Sequence, residues 1–393
     1  MKTRHIIALA MALVCGLQVE GQGLWERFYK GWLTKPRNVD STYIYQQHLG
    51  FTPSLTSNFS RQSIRMTTTD VLKDFPLWDE DLNPILDEEG NEVYSDLVLT
   101  VTDMMKEGIS KRAGLFLGLG RLGAGWSFEM APDSSQQSST FLFSIRGNKF
   151  GLNINYLAFS QKIFEQFDSD PALFLNEGSI DTIAEGNRVQ RLTVDGYYVF
   201  NTRRFAYPPG IAGNMVQLRS AGSWMLAGRY MQSNLDLNPE YTLASYKIAQ
   251  FSLGCGYSYT WVPWSRQPKA DGKGMRTFFV NGTIVPMLTF FNHLLMEPND
   301  DFDGLINTNT LSIFCWPTPN ILLNATVGYS WNNFYLGAQF NYNAFHFNTR
   351  NAISTKDLQT NDQVGTIGTL DQQLGVMGIL YEWNVGLKFQ ACF

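Results

Sequence analysis

The clearest pattern in the chain is the strict alternation of its last thirteen residues, 381–393. One face is wholly apolar, with Tyr381, Trp383, Val385, Leu387, Phe389, Ala391 and Phe393. The other face is mostly polar, with Glu382, Asn384, Gly386, Lys388, Gln390 and Cys392. Successive side chains of a β-strand point to opposite faces, so this stretch predicts a two-faced strand. Transmembrane β-barrel strands have this pattern, because their outer side chains meet lipid and their inner ones line the lumen.

Eleven earlier stretches alternate in a similar way. They are residues 51–60, 113–120, 122–130, 140–148, 152–156, 192–200, 218–230, 251–261, 278–290, 321–331 and 334–342. Together with the final stretch they predict an all-β fold, a transmembrane antiparallel β-barrel of about twelve strands. An even number of strands is what closure with both termini on one side requires.

The links between these stretches differ in length, as expected for short periplasmic turns and long outer loops. Residues 67–108 and 165–188 are interpreted as long outer loops, and residues 310–316 as a possible hairpin within another loop. Two links, residues 202–217 and 263–274, break the rule because they would be long on the periplasmic side. Pro286 predicts a bulge or a rim position, because proline cannot donate to a central ladder.

The amino-terminal residues predict export. Lys2, Arg4 and His5 precede an apolar run at residues 6–17 that is too short to span a bilayer as a helix. Residues 1–21 are therefore predicted to be a signal peptide, residues 22–49 a periplasmic segment with an amphipathic helical stretch, and residues 50–393 the barrel. We expect the protein in the cell outer membrane of a Gram-negative bacterium, with outer-membrane lipid against its apolar face.

Composition and charge narrow the classes of function. Aromatic residues make up 14% of the chain and charged residues 17%, which suits strands with one face in lipid. A net charge of −5 without a basic stripe gives no support for nucleic-acid binding. Beyond residue 21, Cys255, Cys315 and Cys392 are an odd number with no CxxC pair, so no disulfide framework, metal site or cofactor is predicted.

The inward positions of the predicted strands carry charges of both signs: Glu129, Arg146, Arg191, Asp195, Arg219, Arg229, Glu382 and Lys388. Such charges either line a wet channel or pair into a plug. A barrel of about twelve strands has a narrow lumen, which favours partial occlusion over an open pore. The functional hypothesis is passage of a small polar or anionic solute past the arginines. The alternative is that the charges neutralise one another and hold strand register.

Other classes stay open beside the channel. His293 and His346 are placed near outer strand ends, where barrel hydrolases carry their catalytic groups, but neither GxSxG nor HExxH occurs, so no catalytic residue is assigned. The acidic stretches 79–81, 87–89 and 300–303 offer carboxylates to Ca²⁺, but they lack EF-hand spacing and solvated surface charge is favoured. The long outer loops also suit a surface interaction barrel.

Five motifs resemble, in order, those of the outer-membrane family DUF4421, a domain of unknown function. They are Asp-Ser-Thr-Tyr-Ile at residues 40–44, Tyr-Val-Phe-Asn-Thr-Arg-Arg-Phe-Ala-Tyr at 198–207, Gln-Leu-Arg-Ser-Ala-Gly-Ser at 217–223, Gly-Tyr-Ser-Tyr-Thr-Trp-Val at 256–262 and Pro-Met-Leu at 286–288. The resemblance covers roughly residues 38–393. It implies a barrel in a Gram-negative outer membrane with no assigned activity. The terminal Phe393 also resembles the signal read by the barrel-assembly machinery, which implies that partner.

Overall fold

The computed structural model describes residues 38–47, 50–76, 84–106, 109–130, 138–169, 180–207, 215–236, 243–268, 274–298, 311–348, 353–354 and 372–393. Within these ranges the chain forms seventeen β-strands: β1 (Ile44–Gln46), β2 (Phe51–Pro76), β3 (Tyr94–Lys106), β4 (Ser110–Leu119), β5 (Leu122–Glu129), β6 (Ser138–Arg146), β7 (Phe150–Ser169), β8 (Ile180–Val199), β9 (Met215–Gln217), β10 (Ala221–Asp236), β11 (Leu243–Arg266), β12 (Arg276–Pro298), β13 (Leu311–Phe314), β14 (Thr318–Trp331), β15 (Phe334–Asn348), β16 (Ile353–Ser354) and β17 (Gln372–Ala391). None of the residues so described belongs to a helix long and apolar enough to cross a membrane. The predicted signal peptide (1–21) and residues 22–37 of the predicted periplasmic segment lie outside these ranges.

Twelve of the described strands close into one antiparallel ring. Their order is β2, β4, β5, β6, β7, β8, β10, β11, β12, β14, β15 and β17, and β17 pairs back to β2. Each corresponds to one of the alternating stretches in the sequence, so the predicted antiparallel barrel is confirmed. The carboxy-terminal strand closes the ring, with Val385 in register with Phe59 of β2 and with Phe340 of β15.

The outer face of the ring is apolar and exposed, because alternate side chains of each strand point away from the lumen. Leu55 on β2 and Trp224 on β10 are each 61% exposed. At the end of the barrel that carries the short turns, outward aromatic side chains contact one another in sequence. They are Trp264, Tyr329, Trp331, Phe334 and Phe389. Aromatic side chains at this depth are typical of the boundary between lipid and water.

The inner face is largely polar, and its side chains satisfy one another across strands. On β11 and β12, Ser258 shares a 2.6 Å hydrogen bond with Thr283, and Ser252 shares a 3.0 Å bond with Thr289. Asn320 of β14 extends this network by donating to Ser252 at 3.1 Å. Buried polar groups are stable when they are bonded in this way.

The short turns and the carboxy terminus lie at one end of the barrel, which is predicted to face the periplasm and is called the periplasmic end. In the turn from β14 to β15, Asn332 has a φ of 49°, a left-handed conformation that asparagine tolerates well. The terminal Phe393 donates its backbone N–H to the carbonyl of Phe51 at 3.0 Å. The first and last barrel strands are thereby tied together at the rim.

Two predicted loops are wrong in part. Residues 67–108 were interpreted as a polar loop, but β2 continues to Pro76 and β3 pairs with its outer part. Residues 165–188 were interpreted similarly, but β7 continues to Ser169 and β8 begins at Ile180. The β2 extension and β3 carry several Thr and Val residues, whose β-branched side chains favour strands, and the β7 and β8 extensions carry Ile163, Ile180 and Ile183. A strand that extends beyond the membrane needs no apolar face. The low hydrophobicity of these segments was therefore wrongly interpreted as a loop signal.

Three smaller expectations are also wrong. The loop hairpin expected within residues 310–316 is wrong, because β13 is a single strand that pairs with β12 in the same register as β14 and extends that ladder. The bulge or rim position expected at Pro286 is wrong, because Pro286 is in register with Ile321 of β14 in the middle of the ladder. Leu218 was expected on a barrel strand, but β10 begins at Ala221 and Leu218 is buried in the connection before it.

Candidate functional site: the lumen

One end of the lumen is filled by residues 38–47, 201–207 and 215–220, which together are called the plug. Residues 208–214 lie outside the described ranges. Its two segments pair through β1 and β9, with Ile44 in register with Gln217. Phe205 and Ala206 are almost wholly buried. The described parts of the link that broke the loop-length rule, residues 202–207 and 215–217, therefore lie inside the barrel.

Gln217 holds the two segments of the plug together and is fully buried. Its side-chain oxygen accepts the backbone N–H of Ala206 at 2.9 Å. Its amide nitrogen donates to the carbonyls of Arg204 at 2.7 Å, Arg219 at 2.9 Å and Tyr43 at 3.3 Å. One side chain thus bonds to four backbone groups, of which the Tyr43 carbonyl also accepts the Leu218 N–H at 2.7 Å.

The lumen-facing side of the plug is aromatic. Phe205 and Tyr207 belong to a buried cluster with wall residues, among them Met225 and Val285. The Tyr207 ring lies 4.9 Å from the Tyr197 ring at an edge-on angle. Burial, and secondarily the charge of Asp195, raises the pKa of Tyr207 to about 12, so its hydroxyl stays neutral at ordinary pH.

At the exposed edge of the plug, hydrogen bonds of Asp40 connect two of the motifs that resemble the family, residues 40–44 and 198–207. Asp40 accepts hydrogen bonds from the Thr42 hydroxyl at 2.7 Å and from the Thr42 backbone N–H at 3.0 Å. Its own N–H donates to the carbonyl of Arg203 at 2.8 Å. The bonds from Thr42 lower the pKa of the Asp40 carboxyl, and the charges of Arg204 and Arg203 lower it further. Asp40 is therefore an ionised turn residue that ties residues 40–44 to residues 203–204.

Two ion pairs lie above the plug. Arg191 Nη2 is 2.7 Å from Glu382 Oε2, and the Arg191 side chain is only 3% exposed. Arg191 lies on β8 and Glu382 on β17, which are six strands apart whichever way the ring is followed. This ion pair therefore crosses the lumen from wall to wall. Arg229 pairs with Asp195 on the neighbouring strand and donates to Asn343 Oδ1 at 2.8 Å.

The other four predicted lumen charges are spread along the barrel. Arg146 and Lys388 are buried near the periplasmic end, with their charged groups 4.1 and 5.9 Å from the centre of the Phe116 ring. Glu129 lies at the outer end of β5, half-buried and in register with Arg112. Arg219 was expected on the inner wall, but it is exposed in the plug near the ring of Tyr43, because Gln217 holds this connection outside the ladder.

Toward the end of the barrel opposite the plug, the inner wall is more apolar on some strands and more polar on others. Inward side chains on β7 to β12 and on β17 are buried and apolar: Leu157, Phe159, Val189, Leu235, Ile248, Leu294 and Leu380. Toward the same end of β2, β4 and β6 the inward side chains are polar, and Arg112 bonds to Ser60, Ser110 and Thr140 there. Buried polar side chains such as Gln250 and Asn292 also lie among the apolar ones, so the polar contacts are concentrated on β2, β4 and β6 but not confined to them.

Two adjoining cavities of about 280 Å³ each lie between the ion pairs and the plug and are called the chamber. They share the lining residues Leu142, Asn153, Asn155, Asn341 and Asn384. In all, eight asparagines of the described chain line the chamber: Asn58, Asn153, Asn155, Asn281, Asn324, Asn341, Asn343 and Asn384. An amide both donates and accepts, so the chamber is rich in neutral polar groups, and the charged side chains of the two ion pairs and of Lys388 line it as well.

His293 and His346 do not line this chamber. The imidazole of His293 is 4.7 Å from the ring of Phe314 on β13. His346 lies on the same outward face of β15 as Phe340, and its backbone bonds to inward neighbours such as Asn320. Within the described ranges no group of three His, Cys, Asp or Glu side chains could hold a metal ion. The Asp87 carboxylate is occupied by its own turn, accepting the Asn91 N–H at 2.8 Å, while residues 79–81 and 300–303 lie outside the described ranges.

Sequence reasoning missed the asparagines and Gln217. Inward charged residues stand out in a sequence because a charge is costly to bury. An inward asparagine does not stand out, because it fits the ordinary alternation of polar and apolar residues. A usable signal was present, since Asn153 and Asn155, Asn341 and Asn343, and Glu382 and Asn384 recur two residues apart on predicted inward faces.

A closed antiparallel ring with an apolar exterior and a polar interior defines a transmembrane β-barrel of the outer-membrane type. The profile of the family described as "Domain of unknown function (DUF4421)" matches residues 112–367. The chain therefore belongs to this family, and its activity is not thereby specified.

Other comparisons are weaker. No curated protein matches the chain. Among solved structures, the chain is similar to the outer-membrane protease OmpT from Escherichia coli, with 8% identity, coverage of 86% of this chain and 96% of that one, and a TM-score of 0.31. It is also similar to the beta domain of the Bordetella autotransporter BrkA, with 9% identity, coverage of 85% and 99%, and a TM-score of 0.26. For the P. putida toluene transporter TodX the identity is 7%, the coverage 88% and 90%, and the TM-score 0.18. Likenesses this distant carry no argument about activity.

Proposed function

We propose that this protein is an occluded conduit in the outer membrane of a Gram-negative bacterium. In the described state its lumen is closed, and it passes a small polar or anionic solute when the plug and the crossing ion pair move apart. Outer-membrane lipid surrounds the apolar face, and the barrel-assembly machinery reads the exposed Phe393. The proposal needs no catalytic residue, cofactor, metal or nucleic acid.

The observation that carries this proposal is the ion pair of Arg191 and Glu382 across the lumen. Arg229 and Asp195 are in register on neighbouring strands, and a pair of that kind holds register. A pair between opposite walls has no such role, because the two strands share no ladder. It closes the space above a polar chamber, and closure of that kind is what a gate requires.

Breaking the crossing pair from either side should change ion selectivity in opposite directions. Arg191→Ala leaves the Glu382 carboxylate in the lumen and should favour cations, while Glu382→Ala leaves the Arg191 guanidinium and should favour anions. Each change should also raise the small wild-type current roughly twofold or more, because it removes a side chain from the path. Reversal potentials in planar bilayers under a salt gradient measure both effects.

The matched control is Arg188→Ala, an exposed arginine three residues earlier on the same strand. It should leave current and selectivity as in the wild type. If the two lumen variants shift the reversal potential in the same direction, or not at all while remaining folded, the ion pair does not lie in a conducting path.

A further inference from the structure

We infer that the chamber is a binding site for a polyhydroxylated solute of about monosaccharide size. This inference names the solute class of the conduit and rests on the proposed function. Each of the two adjoining cavities measures about 280 Å³. Small-molecule sites usually begin at about 300 Å³, so the chamber has the size for one or two sugar rings.

Unmatched amides are the first argument. Asn58, Asn155 and Asn384 all line the chamber, and the side-chain oxygen of each is buried without a hydrogen-bond partner. A buried polar atom without a partner is unfavourable, so each of these amides gains a hydrogen bond if it turns toward a polar solute in the cavity. Rotation about the last side-chain bond of asparagine is easy, so each amide can turn toward a solute.

The chemistry of the amide is the second argument. In either orientation an amide offers both N–H donors and a carbonyl acceptor, and a hydroxyl group also does both. A solute with many hydroxyls can therefore match several asparagines at once. A solute with only acceptors or only donors leaves part of every amide unmatched. The repeated asparagines thus select hydroxyl groups rather than a charge.

The surroundings of the amides agree with this class. Phe116 is an inward aromatic side chain on the chamber wall, and it adds only a small apolar contact, because it is 9% exposed and the Arg146 guanidinium lies 4.1 Å from its ring centre. Its ring stands over Gly123 and Gly125, where a Cβ would approach it to 2.2 and 2.7 Å. Lys388 lines the same cavity and gives an ammonium donor at one end. A hydroxyl or a sugar-acid carboxylate would both suit that group.

Equilibrium dialysis of the folded protein in detergent tests the inference with D-glucose, sodium gluconate and trimethylglycine as probes. Glucose and gluconate should bind, and trimethylglycine, which has no hydroxyl, should not. The ratio of gluconate to glucose affinity reports whether Lys388 engages a carboxylate, and either ratio supports the class. Binding of trimethylglycine as tight as that of glucose, or no binding of either hydroxylated probe, would overturn it.

Variants locate the binding in the chamber. Asn155→Leu combined with Asn384→Leu replaces two amides by apolar groups of similar size and should weaken glucose binding roughly tenfold or more. The matched control is Asn234→Leu, because the Asn234 oxygen is also buried without a partner but Asn234 lies outside the chamber. If the double variant does not fold, Asn384→Leu alone replaces it. Equal weakening by Asn234→Leu, or no weakening by the chamber variants, contradicts the site.

This test is separate from that of the conduit. Glucose binding in a barrel that never conducts would leave the site standing and remove the proposed function. Current through an opened barrel that glucose neither enters nor blocks would leave the conduit standing and overturn the site.

Discussion

Gly256→Ala should abolish folding of the barrel, whereas Gly282→Ala on the next strand should leave it intact. At Gly256 an added Cβ would lie 2.1 Å from the carbonyl oxygen of Ile284 and 2.7 Å from the Cα of Val285. At Gly254 it would lie 2.3 Å from the carbonyl oxygen of Pro286. These neighbours are backbone atoms of β12, so they cannot move aside without displacing the strand.

The physical reason is the close approach of β11 and β12 on the inner face, which the absence of a Cβ permits. Overpacking in a core costs about 1–3 kcal/mol, and a clash with backbone belongs at or above the upper end. About 3 kcal/mol corresponds to roughly a hundredfold change in an equilibrium constant. At Gly282 an added Cβ meets nothing within 4 Å, so the same substitution is harmless there.

The measurement is the fraction of protein that keeps its compact mobility on an unheated denaturing gel after refolding into detergent. Gly282→Ala should match the wild type, and Gly256→Ala should show almost no compact species. A Gly256→Ala variant that folds as well as Gly282→Ala would mean that β11 and β12 do not approach as described.

Gln217→Ala should release the plug while leaving the barrel folded. The substitution removes the side-chain partner of the Ala206 N–H and of the Arg204 and Arg219 carbonyls, while the Tyr43 carbonyl keeps its bond from the Leu218 N–H. Each buried backbone group left without a bond costs about 1–3 kcal/mol, although water entering the mouth can satisfy some of them. We therefore expect amide hydrogen exchange in the plug to accelerate at least about a hundredfold.

The informative amides are those of Ile44 and Ala206 in the plug and of Tyr257 on β11 in the wall. Plug amides should lose protection and the wall amide should keep it. The matched control is Gln232→Ala, an exposed glutamine on β10 that should change neither. Unchanged protection at Ala206 in the Gln217→Ala protein would show that Gln217 does not hold the plug.

The fold was largely predictable from the sequence, because the lipid outside a membrane barrel and the water inside it require different side chains on the two faces of each strand. Alternation every second residue locates β11 or β17 without any tertiary information, since lipid and lumen dictate opposite faces. The same rule failed where β2 and β7 extend beyond the apolar band, because water lies on both sides there. It also failed at Leu218, where the plug rather than the membrane determines burial.

The lumen was less predictable, because its contacts join residues far apart in the chain. Inward positions of Arg191 and Glu382 follow from alternation, but their contact depends on which strands stand opposite each other in the closed ring. Gln217 lies in a motif that marks the family, yet its four backbone partners follow from the path of the plug. Local sequence patterns predict which face of a strand a side chain occupies. Its contact partner across the lumen can be identified only once the order of the strands in the closed barrel is known.

The most direct test of the occluded conduit is the single-channel conductance of the double variant Arg191→Ala/Gln217→Ala. Two barriers in series should each limit the current, so either substitution alone should raise it modestly and the two together by more than the product of the single effects. The double control Arg188→Ala/Gln232→Ala should conduct like the wild type. The account predicts a large, stable conductance in the folded double variant. A folded double variant as silent as the wild type, or a wild type that already conducts like an open pore, would contradict it.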